Sequence, residues 1–295
     1  MSDLADQGSA ATRSRVTTTT MSDTRRESVS TGATEGTADL IGVCRSATLR
    51  RAAYQFYRAL LLTFPETGSP PDRSTLRTLA RRYAVPLEAT LADMARQDLV
   101  QRDPATGAIR AAYPFSGVPT AHRVTLPIDP ADPADPTDRA GAAAIQLYAM
   151  CALDALGIPL MLRRAALVTS IDALAGQAVR MLMRRSSAAE RAAAEEGDAS
   201  TLDGWMAVWE PSTAVVFARP EEHECEGGVA AGSCFPLTNF FVAREQAERW
   251  AVAHGSSADV VLTPDEALRR AHTLFAGVLE RLDGVNLVNP VDPGN

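Results

Sequence analysis

"YAMCALDALGIP", Tyr148 to Pro159, places Cys151 and Asp154 three residues apart inside an otherwise apolar run. On a helix, residues i and i+3 share a face, so thiol and carboxyl would stand together. If the helix begins near Cys151, its free N–H groups favour the thiolate. A carboxyl in apolar surroundings has its pKa raised and becomes a credible proton carrier. The plainer reading is an inert buried cysteine, with Asp154 capping the helix or facing solvent. Gly157 and Pro159 are expected to end the regular helix.

Downstream of this stretch, "ALVTSIDALAGQAVRMLM" reads as two strands around a turn, and "GWMAVWEP" and "TAVVFARP" read as further strands. A helix follows at "AREQAERWAVAHG". A second, "TPDEALRRAHTLFAGVLERL", opens on Thr263 with Glu266 three residues on, a capping box. "RRSSAAERAAAEEGDAST" is polar and reads as an exposed loop.

Upstream, "HRVTL" is a strand, and "PIDPADPADPTDRAGA" (Pro127 to Ala142) is an extended Pro/Asp linker. A helical pattern runs from Leu40 until Pro65 stops it. Next come a helix capped by Ser74, a break at Val85-Pro86, a helix over "PLEATLADMARQDL", and a hairpin turning at Asp103 to Gly107. That order is a winged helix-turn-helix. The fold class is therefore α+β: an N-terminal winged helix-turn-helix-like domain, then an α+β domain with an antiparallel or mixed sheet. The boundaries are a disordered tail over 1–39, the winged-helix-like domain over 40–120, strand and linker over 121–142, the second domain over 143–288, and a tail over 289–295. Met21 begins a second "MSD" and is an alternative start.

Composition narrows the function classes. The 295 residues are 46% hydrophobic, enough for a sizeable core, and no apolar run is long enough to span a membrane. Met1 to Gly36 is polar, so no secretory signal is predicted. The formal charge of −7 argues against a general binder of nucleic acid or anionic membrane. The second helix of the winged module carries Glu88 and Asp93 where a recognition helix meets DNA, while Arg77, Arg81 and Arg82 sit on the helix before it. A lid or docking role for the module is favoured over DNA binding. The four cysteines, Cys44, Cys151, Cys225 and Cys234, do not form a disulfide framework in 295 residues, and reduced thiols in a cytoplasmic protein are expected.

Cys234 lies in "GGVAAGSCFPLTNFF", a loop marked by glycines before it and Pro236 after it. Two thiols and a carboxyl suit a soft, thiophilic metal. His223, Glu224, Cys225 and Cys234 offer a competing four-ligand set, although their spacing follows no usual structural zinc pattern.

"YAMCALDALGIP", with "AYPFSGVPTAHRV" before it and "WEP", "VVFARP" and "GSCFPLTNFF" after it, resembles the organomercurial lyase (alkylmercury lyase) family from about Leu40 to Leu282. The resemblance implies that 143–288 is a catalytic domain cleaving the carbon–mercury bond by protonolysis. Its catalytic residues fall on Cys151, Asp154 and Cys234, with mercury held by Cys151 and Cys234. It implies no cofactor, an organomercurial substrate, and low-molecular-weight thiols or a mercuric reductase to remove mercuric ion. Two positions depart from the family pattern: Phe235 stands where many relatives carry a second thiol, and Asp172 where some carry a structural cysteine. The rival readings are a winged-helix regulator that senses a thiophilic metal and a mercury-binding relative without lyase activity.

Overall fold

The computed structural model describes residues 37–41, 46–127, 144–187, 199–218, 235–255 and 261–279. Its centre is a nine-stranded antiparallel sheet, and the helices pack on it, so the α+β expectation holds with the antiparallel alternative.

The chain enters through a hairpin, β1 (Thr37–Ile41) and β2 (Ser46–Arg50), paired antiparallel. This corrects the helix expected from Leu40: helix α1 spans Arg51–Thr67. Nor does Pro65 stop α1. It sits in the last turn, where it costs α1 one helical N–H without interrupting it, and the helix ends at Gly68, whose left-handed φ of 73° only glycine adopts freely. Helix α2 (Arg73–Arg82) is capped by Asp72 and not by Ser74. Pro70 and Pro71 hold the chain extended up to Asp72, whose Oδ1 accepts the Thr75 N–H at 2.7 Å. After α3 (Leu87–Arg96), β3 (Val100–Arg102) and β4 (Ile109–Ala112) form the expected hairpin. Its turn is tied by Asp103 Oδ1, which accepts from the N–H groups of Ala105 and Thr106.

That hairpin is one end of the large sheet. Strand β4 pairs with β5 (Phe115–Ser116), which pairs with β7 (Ala144–Ala149). From β7 the sheet continues through β6 (Arg123–Pro127), β8 (Ala166–Ile171), β9 (Ala178–Arg185), β11 (Trp205–Glu210) and β10 (Ala199–Leu202). A smaller sheet pairs β12 (Val215–Phe217) with β13 (Asn239–Phe241) on one side and β14 (Val261–Leu262) on the other. Helix α5 (Arg244–Ala253) packs on this smaller sheet around Phe217, Phe241 and Ala247.

Apart from Asp154, helix α4 (Ala152–Leu162) is apolar on every side, and it is buried from Ala152 to Met161. A helix hydrophobic all round belongs in a core. It continues through Gly157 and Pro159, a further correction, and the reason is tertiary. Helix α6 (Pro264–Phe275) packs against α4, and a Cβ on Gly157 would lie 2.0 Å from the Phe275 ring. Glycine is there to let the two helices meet. The Thr263–Glu266 capping box opens α6 as expected. One apolar core runs from Leu49 to Val278, so α1–α3 and α4 share it.

Candidate functional site

Strand β7 delivers the chain to Cys151, whose extended backbone (φ −149°, ψ 179°) makes it the N-cap of α4. Asp154 stands in the first turn. Both side chains are fully buried. The Ala152 N–H, which has no partner within the helix, donates to Thr238 O at 3.0 Å, and Ala155 N–H closes the first helical bond on Cys151 O.

Burial dominates the electrostatics of the pair. It pushes the Asp154 carboxyl up to about 8. Neither carboxyl oxygen completes a hydrogen bond of ordinary geometry with a described residue, although Cys151 and Tyr113 lie close enough to pull the value partly back down. Burial also raises the Cys151 thiol well above its usual range, and the Asp154 charge raises it further. The N–H groups of Asp154 and Leu153 act in the opposite direction, without closing a capping hydrogen bond on the sulfur. The expected preference for thiolate at the helix start is thus outweighed: thiol and carboxyl both keep their protons at neutral pH.

Aromatic side chains wall this corner. Tyr113 stacks on Phe235, with ring centroids 5.7 Å apart and planes at 16°, and tilts against Phe275 at 5.3 Å. The Tyr57 hydroxyl donates to the Tyr113 carbonyl, and burial and the Asp154 charge raise its own pKa. An open cavity of about 700 Å³ lies nearby, with Met150, Phe235, Pro236, His122 and Asn239 in its wall.

Residues 136–276 match the family model described as alkylmercury lyase. The match lies inside the span of the sequence resemblance and takes in Cys151, Asp154 and Cys234. A solved structure, the mercury-bound form of MerB2, aligns over 78% of this chain and 100% of its own, at 18% identity and a TM-score of 0.48. No curated protein matches the sequence.

Of the residues singled out in the sequence, Cys151 and Asp154 are brought together. Cys234 lies outside the described residues, as do Cys44 and the competing set His223, Glu224 and Cys225. Phe235, next to Cys234, is described: it opens a 3-10 turn (Phe235–Leu237) and stacks on Tyr113, so the residue standing in place of a second thiol joins the aromatic wall. Asp172 is buried in the β8–β9 turn. Its Oδ1 accepts from Leu174 and Ala175, and its Oδ2 accepts the Val242 N–H at 2.8 Å, which pins the turn to the end of β13.

Sequence reasoning missed Tyr57 and Tyr113 around the Cys151–Asp154 pair, and His122 and Asn239 in the cavity wall nearby. The signal was present in part. Tyr113 and His122 lie in "AYPFSGVPTAHRV" and Asn239 in "TNFF", two stretches that carried the resemblance without giving these residues a role.

Proposed function

We propose that the chain is an organomercurial lyase that cleaves the carbon–mercury bond by protonolysis, with Cys151 and Cys234 as mercury ligands and Asp154 as proton carrier. The observation behind this reading is the first turn of α4: a buried thiol beside a buried carboxyl that holds its proton up to about pH 8. Thiolates select soft ions, and an acid with a pKa near the working pH is suited to donate a proton.

The steps balance as follows. An organomercurial reaches the site as its adduct with a small external thiol. Cys151 Sγ bonds to mercury, and the thiol proton leaves with the departing external thiol. Cys234 adds as the second sulfur ligand and weakens the carbon–mercury bond. That bond's electron pair takes the Asp154 proton and becomes the new carbon–hydrogen bond, so the hydrocarbon leaves. The Cys234 thiol proton restores Asp154, and mercuric ion remains on two sulfurs. Two thiol protons are consumed, one appearing on the hydrocarbon and one on the external thiol. The apolar wall of Tyr57, Tyr113, Phe235 and Phe275 keeps the carboxyl protonated until the carbon accepts the proton. No resident cofactor is needed in this scheme. External thiols, or a mercuric reductase in the cytoplasm, would take the mercuric ion.

The α2–α3 pair and the β3–β4 hairpin are best read as a winged-helix-like module serving this site. Tyr57 from α1 and Tyr113 just after β4 both reach the Asp154 environment, which a separate DNA-reading domain would not require.

The test is hydrocarbon release from a simple alkyl or aryl mercurial with excess thiol, in the parent protein and in Cys151→Ser, Cys234→Ser and Asp154→Ala. Multiple turnovers in the parent, abolished in each variant, are expected. Stoichiometric mercury binding without hydrocarbon would replace the lyase reading with a mercury-binding relative.

A further inference from the structure

Cys151 and Asp154 are fully buried, so a mercurial has to pass a wall to reach them. The cavity of about 700 Å³ meets that wall at Met150 and Phe235. Met150 directly precedes Cys151, and its N–H donates to the Pro114 carbonyl at 3.2 Å, next to Tyr113. Phe235 opens the 3-10 turn, and its carbonyl accepts the Thr238 N–H at 3.3 Å. The Thr238 carbonyl in turn accepts the Ala152 N–H at 3.0 Å, in the first turn of α4. Cys151 is thus flanked on one side by a cavity-wall residue, and on the other by a bond to the turn that carries the second.

The wall favours one kind of organic group. Phe235 stacks on Tyr113, with centroids 5.7 Å apart and planes at 16°, and Tyr113 tilts against Phe275 at 5.3 Å. Three rings therefore run in series, and the last of them, Phe235, lines the cavity. A further ring entering the cavity continues the series in the offset or tilted geometry that aromatic pairs prefer. The Met150 thioether is a soft, polarisable contact for such a ring. Val118 and Pro236 add apolar surface, while Gln101 and Arg110 supply polar groups. Volume discriminates as well. Cavities of about 300–1,000 Å³ suit small organic ligands, whereas a methyl group fills little of this one and makes no ring contact.

We propose that this cavity receives the organic group of an arylmercurial, and that Phe235 sets a preference for aryl over methyl mercurials at Cys151. This rests on the reading of Cys151 as a mercury ligand and names the substrate class within it. Capture alone expresses the preference: Cys151 Sγ replaces the carrier thiol on mercury, and the Cys151 proton leaves on that thiol.

The test uses the full-length chain with Cys44→Ser, Cys225→Ser and Cys234→Ser, which leaves Cys151 as its sole cysteine. This chain is equilibrated with equal amounts of phenylmercuric and methylmercuric ions, both supplied as adducts of free cysteine. Native mass spectrometry counts the two protein adducts, and the phenyl-to-methyl ratio on free cysteine is the reference. The ratio on Cys151 should exceed that reference by about 2- to 10-fold, the range of an aromatic pair. Phe235→Leu, which keeps the bulk and loses the ring, should bring the ratio down to the reference, as should Phe235→Ala. Phe235→Tyr keeps the ring and should keep the excess. Thermal midpoints report folding, and Phe235→Leu decides alone if the alanine variant unfolds. The proposal is overturned if Cys151 shows only the reference ratio, if the excess survives in Phe235→Leu, or if Cys151 captures neither mercurial. Hydrocarbon release is scored separately on the chain with all four cysteines. Its absence beside a ring-dependent aryl excess removes the lyase reading alone, and its presence without that excess removes the cavity assignment alone.

Discussion

Asp154 at the start of α4 and Asp172 in the β8–β9 turn are both buried carboxyls, yet their surroundings differ sharply. Asp172 receives three backbone N–H groups, from Leu174, Ala175 and Val242, and joins two parts of the fold. Asp154 completes no hydrogen bond of ordinary geometry with a described residue, and burial lifts it to about 8. A buried charge is tolerated when donors replace the water it loses; without them the group keeps its proton. Asp172 is arranged to hold structure and Asp154 to hold a proton.

The largest effect expected from this contrast is on the reaction. Asp154→Asn keeps the shape and removes the acid, so hydrocarbon release should fall by about 10²- to 10⁴-fold while stoichiometric capture of the organomercurial persists. Single-turnover product measurement against thiol loss separates the two. A variant that releases hydrocarbon at the parent rate would remove Asp154 from the proton path. In the parent, the rate should fall as pH rises through about 8, because the donating form is lost there.

The same proton links stability to pH. Asp154 is raised in the folded state, so between the ordinary aspartate value and about 8 the folded chain binds the proton and the unfolded chain does not. Stability should therefore fall as pH rises through that window, by on the order of 5 kcal/mol in all. Urea midpoints from pH 5 to 8 should decline for the parent and flatten for Asp154→Asn. Equal slopes in the two proteins would show that the carboxyl is better solvated than its surroundings imply.

Asp172→Ala should act on stability instead of chemistry. It strands the buried Val242 N–H and leaves the Leu174 and Ala175 N–H groups of the exposed turn to water, so a loss of about 1–3 kcal/mol is expected. Thermal unfolding reads the loss, and release per folded molecule should stay near the parent's. A selective loss of activity with unchanged stability would contradict the division of labour between the two aspartates.

How much of this was legible in the sequence follows from the range of the interactions. Cys151 as a helix start, the β8–β9 hairpin and the Thr263–Glu266 box depend on neighbours within a few residues, and each was readable. The stretch from Leu40 to Arg50 was misread as helical because Leu40, Ile41, Val43 and Leu49 are too few and too irregular to separate a helix from a short hairpin. Helix α4 runs through Gly157 and Pro159 because Phe275 packs there, and nothing near Gly157 in sequence announces it. The proximity of Cys151 to Asp154 was visible in their spacing. The enclosing Tyr57, Tyr113 and Phe235 come from distant parts of the chain and had to await the fold.

The smallest effect is expected at a third carboxylate, which sharpens the comparison from the opposite side. Glu88 on α3 has two charged partners, Arg73 at 3.0 Å and Arg102 at 2.8 Å. By count of ionic contacts it is better supplied than Asp154. More than half of its side chain is exposed, however, at 55%, and water already solvates the charge in the unfolded chain. Pairs of this kind are screened and lose side-chain entropy on forming, so they contribute about 0–1 kcal/mol. Glu88→Gln should shift the urea midpoint by no more than that, with the shift shrinking further in high salt and release of hydrocarbon unchanged. A loss as large as that of Asp172→Ala would mean that the α3–hairpin face is covered in the working protein. The governing variable among the three carboxylates would then be the partner on that face, in place of burial and backbone donors.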